Sequence, residues 1–277
     1  MYYFKDLYSY YKEYKKYKNL TNGLFWFKKY SGIKWIKGQN FGDYFSPIIV
    51  SKVAQKFGFK KLVLPENKNL FAIGSILHFA KDKDIIWGSG INGKIPHDYY
   101  KFKNLDIRMV RGPKTKNYLE SKGHLVPNSY GEPGLLLSLL NPDLTYKPEY
   151  GKIVVLPNLN EINVVKKTVK NPLKFVSPLS HWSKVVFEIL TSELVLTSSL
   201  HGIVVADSFG IPVRFVMPVG GETIFKYQDY FYSTGRNIIH APSSFKDGIN
   251  IKTGIMLPKP IINTDVMLET FPKDLFV

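Results

Sequence analysis

The chain has 277 residues, 44% of them hydrophobic, which is enough for one large or two medium-sized domains with a buried core. Its 38 Lys and Arg residues against 22 Asp and Glu give a formal charge of +16, so anions such as phosphorylated metabolites are expected partners. The absence of cysteine excludes disulfides, a thiolate nucleophile and a thiolate zinc site, and it agrees with a cytoplasmic location.

The first segment, residues 1–38, is basic and rich in aromatic residues. It holds nine lysines against Asp6 and Glu13, with Trp26 and Trp35 among its tyrosines. Lysine stems and aromatic rings together favour the headgroup layer of a membrane, whereas on a surface helix the same rings pack on the protein body. The apolar runs of the chain are shorter than the roughly 20 residues that cross a bilayer. The sequence therefore predicts a cytoplasmic protein, with peripheral contact at the inner face of the membrane as a hypothesis.

From residue 45 onward, short apolar runs alternate with helix-like segments. Seven runs rich in β-branched residues predict strands, at 69–76, 83–91, 105–110, 151–158, 173–178, 193–199 and 212–217. The intervening segments predict helices, at 45–58, 113–123, 181–190 and 202–210. This alternation favours parallel sheets flanked by helices. A cluster of Asn, Pro, Asp and Gly at 141–151 places a boundary near Tyr146, so we expect two α/β domains, 1–146 and 147–277.

Polar segments that contain glycine follow the predicted strands, which is where α/β sheets bind their ligands. They are QNFGDY (39–44), GSIL (74–77), GSGING (88–93), RGPKT (111–115), YGEPG (130–134) and SSLHG (198–202). Glycine lets the backbone approach a ligand, and the free amides of a helix start attract anions. None of these segments has the spacing of a dinucleotide loop or a phosphate loop. Dehydrogenase and nucleoside-triphosphatase functions are therefore disfavoured.

Arg111 and His201 are the most informative residues of these segments. Arg111 ends a predicted strand beside Lys114, where a guanidinium could clamp a carboxylate or phosphate. An interdomain salt bridge is the alternative for Arg111. His201 follows Ser198 and Ser199, either of which could cap a helix. Its imidazole could exchange a proton near neutral pH, and a core histidine is the alternative.

The chain resembles the polysaccharide pyruvyl transferase family in six motifs that occur in order. They are NFGDYFSPIIV, WGSGI, VRGPKT, GEPGLLL, SSLHGIVVADSFGIPV and FKYQDYFYSTG, within residues 35–235. The resemblance implies two Rossmann-like domains similar to the B-type glycosyltransferase fold. It also implies transfer of the enolpyruvyl unit of phosphoenolpyruvate (PEP) to a sugar, commonly as a cyclic ketal across two hydroxyls. Relatives carry SRLHG and GDPA where this chain has Ser199 and Glu132.

The resemblance also implies roles for individual residues. Arg111 and His201 match family positions associated with the donor, and we expect them to face each other and hold PEP jointly. A protonated His201 is the expected general acid at the PEP methylene, and Asp43 or Glu132 is expected to accept the proton of the attacking hydroxyl. A helix cap is the alternative for Asp43. The remaining expected substrate contacts are Asn40, Gly90, Lys114, Ser198, Ser199 and Gly202, with Glu222, Lys226, Asp229 and Tyr230 as the candidates for the sugar. Packing of the tyrosines in a helix interface is the alternative for this last segment.

The expected partners are PEP and a surface-polysaccharide saccharide. If that saccharide is carried on a polyprenyl diphosphate, the basic N-terminal segment would hold the enzyme at the membrane. No His, Asp and Glu cluster has metal-ligand spacing, so we expect no catalytic metal and no cofactor beyond the donor substrate. Two alternatives stay open: a B-type glycosyltransferase that uses a nucleotide sugar, and a basic non-enzymatic module that binds nucleic acid or anionic lipid. We expect no nucleic acid, because no recognisable nucleic-acid-binding fold accompanies the charge.

Overall fold

A computed structural model of the chain describes residues 17–25, 40–218, 221–237 and 255–277. Most of the basic N-terminal segment, including Trp26 and Trp35, lies outside these residues. Its membrane contact therefore stays a prediction. Within the ranges given above, no helix combines the length and the apolar character needed to span a bilayer.

The first sheet has four parallel strands that lie side by side in chain order. They are β1 (Leu24–Phe25), β2 (Leu70–Phe71), β3 (Ile85–Trp87) and β4 (Asp106–Met109). Every residue of β2 and β3 is buried, which is why these runs are continuously apolar instead of alternating with polar residues. Helix α1 (Phe45–Lys56) lies between β1 and β2 in the chain, and α2 (Pro113–Glu120) follows β4.

The second sheet has five strands in the order β6-β5-β7-β8-β9. They are β5 (Ile153–Leu156), β6 (Lys174–Phe175), β7 (Leu194–Thr197), β8 (Val213–Phe215) and β9 (Ile255–Met256). All pairings are parallel except that of β8 with β9. The chain builds β6 on one side of β5 and β7 on the other. This reversal opens a crevice beyond the carboxyl ends of β5 and β7, where α/β sheets bind ligands.

Helices cover the second sheet, as its parallel connections require. They are α3 (Ile162–Thr168), α4 (Trp182–Leu190), α5 (Leu200–Ser208) and α6 (Phe225–Ser233). The predicted class, α/β with parallel sheets flanked by helices, is confirmed, and each of the seven predicted strands and four predicted helices is present. The closer similarity to the B-type glycosyltransferase fold stays an expectation.

The two sheets share one hydrophobic core. The 3-10 turn Pro133–Leu137 packs against both α1 and α5, and the same cluster of buried side chains reaches both sheets. The end of the chain returns to the first sheet, because the indole of Trp87 donates to the carbonyl of Met267 in helix α7 (Thr264–Glu269) at 3.0 Å. The prediction assigns residues 147–277 to the second domain, whereas this final segment packs on the first sheet. The boundary near Tyr146 stays a prediction.

Candidate active site

A cleft of about 360 Å³ lies where the polar strand ends of the two sheets meet. The loops after β2, β3, β5 and β7 line it, together with the turn before α1 and the start of α6. Its polar side chains are Asn40, Asp43, Ser75, His78, Asn92, Lys94, Asn158, Asn160, Ser199, His201, Glu222 and Lys226. The structure thus brings together six of the predicted site residues, which come from distant parts of the chain: Asn40, Asp43, Ser199, His201, Glu222 and Lys226.

His201 lies in the first turn of α5, directly after the carboxyl end of β7. Ser199 caps that helix, because its Oγ accepts a hydrogen bond from the Gly202 amide at 3.3 Å. Gly42 packs against the imidazole so closely that a Cβ there would overlap the ring, and Phe41 lies edge-on to it at 6.3 Å between ring centroids. Nε2 of His201 is buried and has no hydrogen-bond partner among the residues that the structure describes. Steric contacts therefore fix the imidazole, while Nε2 stays available to a ligand.

Burial and nearby cations set the protonation of the two candidate proton carriers. Burial lowers the pKa of His201 to about 3, and the positive charges of Lys226 and Arg111 act in the same direction. Burial raises the pKa of Asp43 to about 7, although Lys226 opposes this shift. Near neutral pH the free site therefore holds a neutral imidazole, and in the same cleft the carboxyl group of Asp43 keeps its proton far more than an exposed carboxyl group would. This distribution is the reverse of the expected protonated His201 and ionised Asp43.

Arg111 lies behind the cleft instead of in its wall. The side chain is 0% exposed, and its Nε donates to Asp229 at 2.9 Å. Its Nη1 donates to Ser75 at 2.5 Å and its Nη2 to the carbonyl of Ile91 at 2.7 Å. Gly90 leaves room for the guanidinium, since a Cβ there would be 2.5 Å from Cζ. The expected direct clamp between Arg111 and a donor is therefore absent here, and of these partners only Ser75 lines the cleft.

Two residues expected to bind the sugar are buried in the protein. Asp229 accepts hydrogen bonds from the Thr115 amide at 2.8 Å and the Thr115 hydroxyl at 2.6 Å, in addition to the bond from Arg111. The Tyr230 hydroxyl donates to Asp207 at 2.6 Å, and its ring belongs to the core. Neither side chain lines the cleft, so the structure corrects the expected sugar contacts of Asp229 and Tyr230.

Three more of the expected substrate contacts also lie outside the cleft wall. Lys114 donates to the side chain of Gln228 at 2.7 Å. Ser198 is buried and donates to Glu161 at 2.5 Å. Gly202 packs against β5, where a Cβ would be 2.7 Å from a leucine side chain, and its amide is already taken by the helix cap. These three residues support the loops of the site instead of lining it.

Glu222 forms ion pairs with two lysines, Lys94 from the first half of the molecule and Lys226 from the second half. Its Oε1 accepts from Lys94 at 2.5 Å and from Asn160 at 3.3 Å, and its Oε2 accepts from Lys226 at 2.6 Å. Both oxygens are therefore occupied, so the expected contact of Glu222 with a sugar is not open in this state. The two lysines line the cleft with one carboxylate between them, and a stronger anion could compete for them.

Glu132 is a buried carboxyl group behind the cleft. It precedes the turn Pro133–Leu137, it is 1% exposed, and within the described part of the chain no side chain donates a hydrogen bond to its carboxyl oxygens. Burial raises its pKa to about 8, although the charge of Arg111 opposes the shift. Glu132 does not line the cleft with Asp43 and His201, so the expectation that it accepts a proton from the sugar loses its geometric basis.

The variant Glu132→Gln is expected to raise the melting temperature more at about pH 8.5 than at about pH 5. The pKa is raised from 4.5 to about 8 in the folded protein, so stability is lost as pH rises between those values, while only the unfolded chain ionises. The gain at alkaline pH should be on the order of a few kcal/mol. Thermal unfolding at both pH values checks this, with the surface variant Glu120→Gln as control. An equal gain at both pH values would contradict it.

The variant Gly42→Ala is expected to lower turnover strongly. The new methyl group would overlap the imidazole of His201, which must then leave its position in the cleft. Far-ultraviolet circular dichroism should stay close to that of the parent, because the turn before α1 lies outside the helices and strands. Steady-state turnover checks the prediction, and full activity of this variant would show that the position of the ring is not needed.

Comparison with known proteins identifies the family of the chain. Residues 2–218 match the family model described as polysaccharide pyruvyl transferase. The chain is also similar to "Succinoglycan biosynthesis protein ExoV" of Rhizobium meliloti (strain 1021), with 27% identity over 204 residues, which are 64% of this chain and 57% of that protein. The chain thus spans little more than half the length of this curated relative.

Among solved structures, a functionally uncharacterised protein from Klebsiella pneumoniae subsp. pneumoniae NTUH-K2044 aligns with a TM-score of 0.44 and 14% identity. That alignment covers 84% of this chain and 98% of the other. The family model covers most of the chain, including the loops that line the cleft after β2, β3, β5 and β7. The chain therefore belongs to the polysaccharide pyruvyl transferase family.

Proposed function

We propose that this protein transfers the pyruvyl unit of PEP to two hydroxyl groups of a saccharide, in a surface polysaccharide or its lipid-linked precursor. Family membership supports pyruvyl transfer in polysaccharide synthesis. One observation carries the finer proposal: two lysines share a cleft with a carboxyl group and an imidazole whose pKa values are shifted in opposite directions. PEP is a phosphate and a carboxylate on an enol ether. Such a donor needs cations to bind it, one group to give a proton and another to accept one.

Two lysines, one arginine and one helix start provide positive charge for the anionic donor. Lys94 and Lys226 line the cleft, and the guanidinium of Arg111 lies behind Ser75. The first turn of α5, which begins at the cleft, adds the positive end of the helix dipole. Because Glu222 already accepts hydrogen bonds from both lysines, PEP would have to compete with its carboxylate.

In the proposed reaction, the carboxyl group of Asp43 gives its proton to the methylene carbon of PEP. The neighbouring carbon gains oxocarbenium character and forms a bond to one sugar hydroxyl, whose proton passes to the neutral imidazole of His201. The second hydroxyl then displaces phosphate from the same carbon and closes the ketal, and its proton leaves with the phosphate. The pKa of Asp43 near 7 supports its role, because its carboxyl keeps a proton to give near neutral pH. The imidazole of His201 is unprotonated there, and the negative charge of bound PEP would raise its low pKa and so strengthen it as a proton acceptor.

Incubation with PEP and a panel of lipid-linked saccharides tests the proposed function. We expect phosphate release that requires both substrates, and an acceptor whose mass increases by that of pyruvic acid less one water molecule. Calorimetric titration with PEP alone should detect binding that Lys226→Met weakens. Consumption of a nucleotide sugar, with protection against heat by nucleotide and none by PEP, would instead support a B-type glycosyltransferase.

The pH dependence of kcat/KM for PEP separates the two possible assignments of acid and base. Activity should fall above about pH 7, because Asp43 must be protonated and its pKa is about 7. The phosphate of PEP itself titrates near pH ~6. The pH profile of the parent is therefore compared with that of Asp43→Asn, in which titration of the donor contributes equally. In the pH profile of the residual activity of Asp43→Asn, the decrease near pH 7 should be absent. An unchanged decrease would assign the proton to another group.

A further inference from the structure

One part of the cleft has no role in the reaction steps above. It consists of His78, Phe79, Asn92 and Ile95, which we call the neutral subsite. The 3-10 turn Leu77–Phe79 follows β2 and provides the first two side chains. The loop after β3 provides the other two. All four therefore belong to the first half of the molecule.

Two polar atoms of the neutral subsite are buried and have no hydrogen-bond partner in residues 17–25, 40–218, 221–237 and 255–277. They are Nδ1 of His78 and Oδ1 of Asn92. Leaving a buried polar group unpaired costs about 1–3 kcal/mol, and native proteins seldom keep such groups unless a ligand or water completes them. Both side chains line the cleft, so a ligand held there lies next to the residues that carry these two atoms, and a small side-chain rotation would bring the atoms into contact with it.

The electrostatic surroundings of the neutral subsite differ from those of His201. Burial alone lowers the pKa of His78, whereas the pKa of His201 also responds to Lys226 and Arg111. The His78 imidazole is therefore neutral near pH 7. The ring of Phe79 is 39% exposed and lies 4.0 Å from the imidazole between centroids. Neutral polar atoms beside apolar surface suit an uncharged ligand better than an anion.

We propose that the neutral subsite binds the acceptor saccharide. This inference rests on the proposed function and adds where the sugar lies. A pyranose has hydroxyl groups for His78 and Asn92 and an apolar ring face for Phe79. The sugar contacts expected from sequence lie in the second half, where Asp229 and Tyr230 are buried. The neutral subsite provides open contacts in their place.

The variants Asn92→Leu and His78→Phe test the proposal, because each removes polar atoms while nearly keeping side-chain size. Binding of two sugars, methyl β-D-galactopyranoside and methyl β-D-glucopyranoside, is measured by saturation-transfer NMR with and without PEP. Binding of PEP itself is measured by calorimetry. We expect each variant to weaken binding of at least one sugar by about tenfold, as loss of a buried hydrogen bond to a ligand implies. Affinity for PEP should stay near that of the parent, and the melting temperature should not fall, because each change removes a buried polar atom that is unpaired in the free protein.

Asn128→Leu is the matched control, because Asn128 is exposed outside the cleft and accepts hydrogen bonds from Lys116 and Tyr130. It should leave sugar binding unchanged. Undiminished sugar binding in both test variants overturns the proposal, and so does the absence of sugar binding to the parent. Loss of PEP binding in place of sugar binding overturns it too. Since sugar binding is measured without turnover, a parent that binds sugar at this subsite but never releases phosphate from PEP would refute only the proposed function.

Discussion

Replacement of His201 by alanine should lower phosphate release from PEP by about 10²- to 10⁴-fold, the range for loss of a general acid or base. The imidazole lines the cleft, and no group among the described residues forms a hydrogen bond with its Nε2, which makes this nitrogen a candidate contact for the substrate. The same change should leave the melting temperature nearly unchanged, because the ring gives up steric contacts but no hydrogen bond at Nε2. Turnover and thermal unfolding of the same preparation check both statements.

The control for this prediction is His97→Ala. His97 is exposed, stacks on the ring of Tyr118 and does not line the cleft, so this variant should keep parental turnover. His201→Ala could instead lose much stability and keep a turnover that matches the fraction of folded protein. That result would show that the ring serves packing and not the reaction. Full turnover in the folded variant would remove His201 from the mechanism.

The second large effect concerns the buried pair of Arg111 and Asp229. Arg111→Met should destabilise the protein by about 3–5 kcal/mol, because it leaves the charge of Asp229 buried without its partner. For a chain of this size the melting temperature should fall by roughly 6 to 20 °C. Asp229→Leu should have a similar cost, and the double variant should recover part of the loss, since it buries no unpaired charge. Denaturant unfolding of all three variants gives the double-mutant cycle.

Arg108→Met is the matched control for the buried pair. Arg108 bonds to Asp106 and Asp274 at the surface, where such pairs contribute about 0–1 kcal/mol. Unfolding of Arg108→Met should therefore stay close to that of the parent. If Arg111→Met instead had the stability of the parent and a lower affinity for PEP, the result would contradict this account and support direct binding of PEP by Arg111, as expected from the sequence.

The strands and helices were predictable because their apolar runs have clear lengths and periods. The strands β3 and β7 are mainly apolar runs that are followed directly by glycine or serine, and these residues indicate where each strand ends. Strands β1 and β9 are two residues long and were not predicted, whereas β2 and β6 are equally short but lie inside longer predicted apolar runs. The return of the chain end to the first sheet depends on the contact of Trp87 with Met267, 180 positions apart, and no local pattern reports such a contact.

The loops of the cleft were predictable from sequence, whereas the roles of their side chains were not. Arg111 and Asp229 are 118 positions apart, and their pairing removes both from the cleft wall. The protonation of Asp43 and His201 depends on burial and on Lys226, which only the assembled site brings near. The GSGING motif includes Asn92 but does not predict that its side chain faces the cleft.

The central claim is that the free enzyme holds a neutral His201 beside the place where PEP binds. The direct test is a pH titration by NMR of the six histidine side chains in ring-labelled protein, with and without PEP. We expect the signal of His201 to stay that of a neutral ring down to at least pH ~5 and to shift when PEP is added, while the signal of exposed His97, which does not line the cleft, should not respond to PEP. A His201 signal that titrates near pH ~6.5 and does not respond to PEP would contradict the claim.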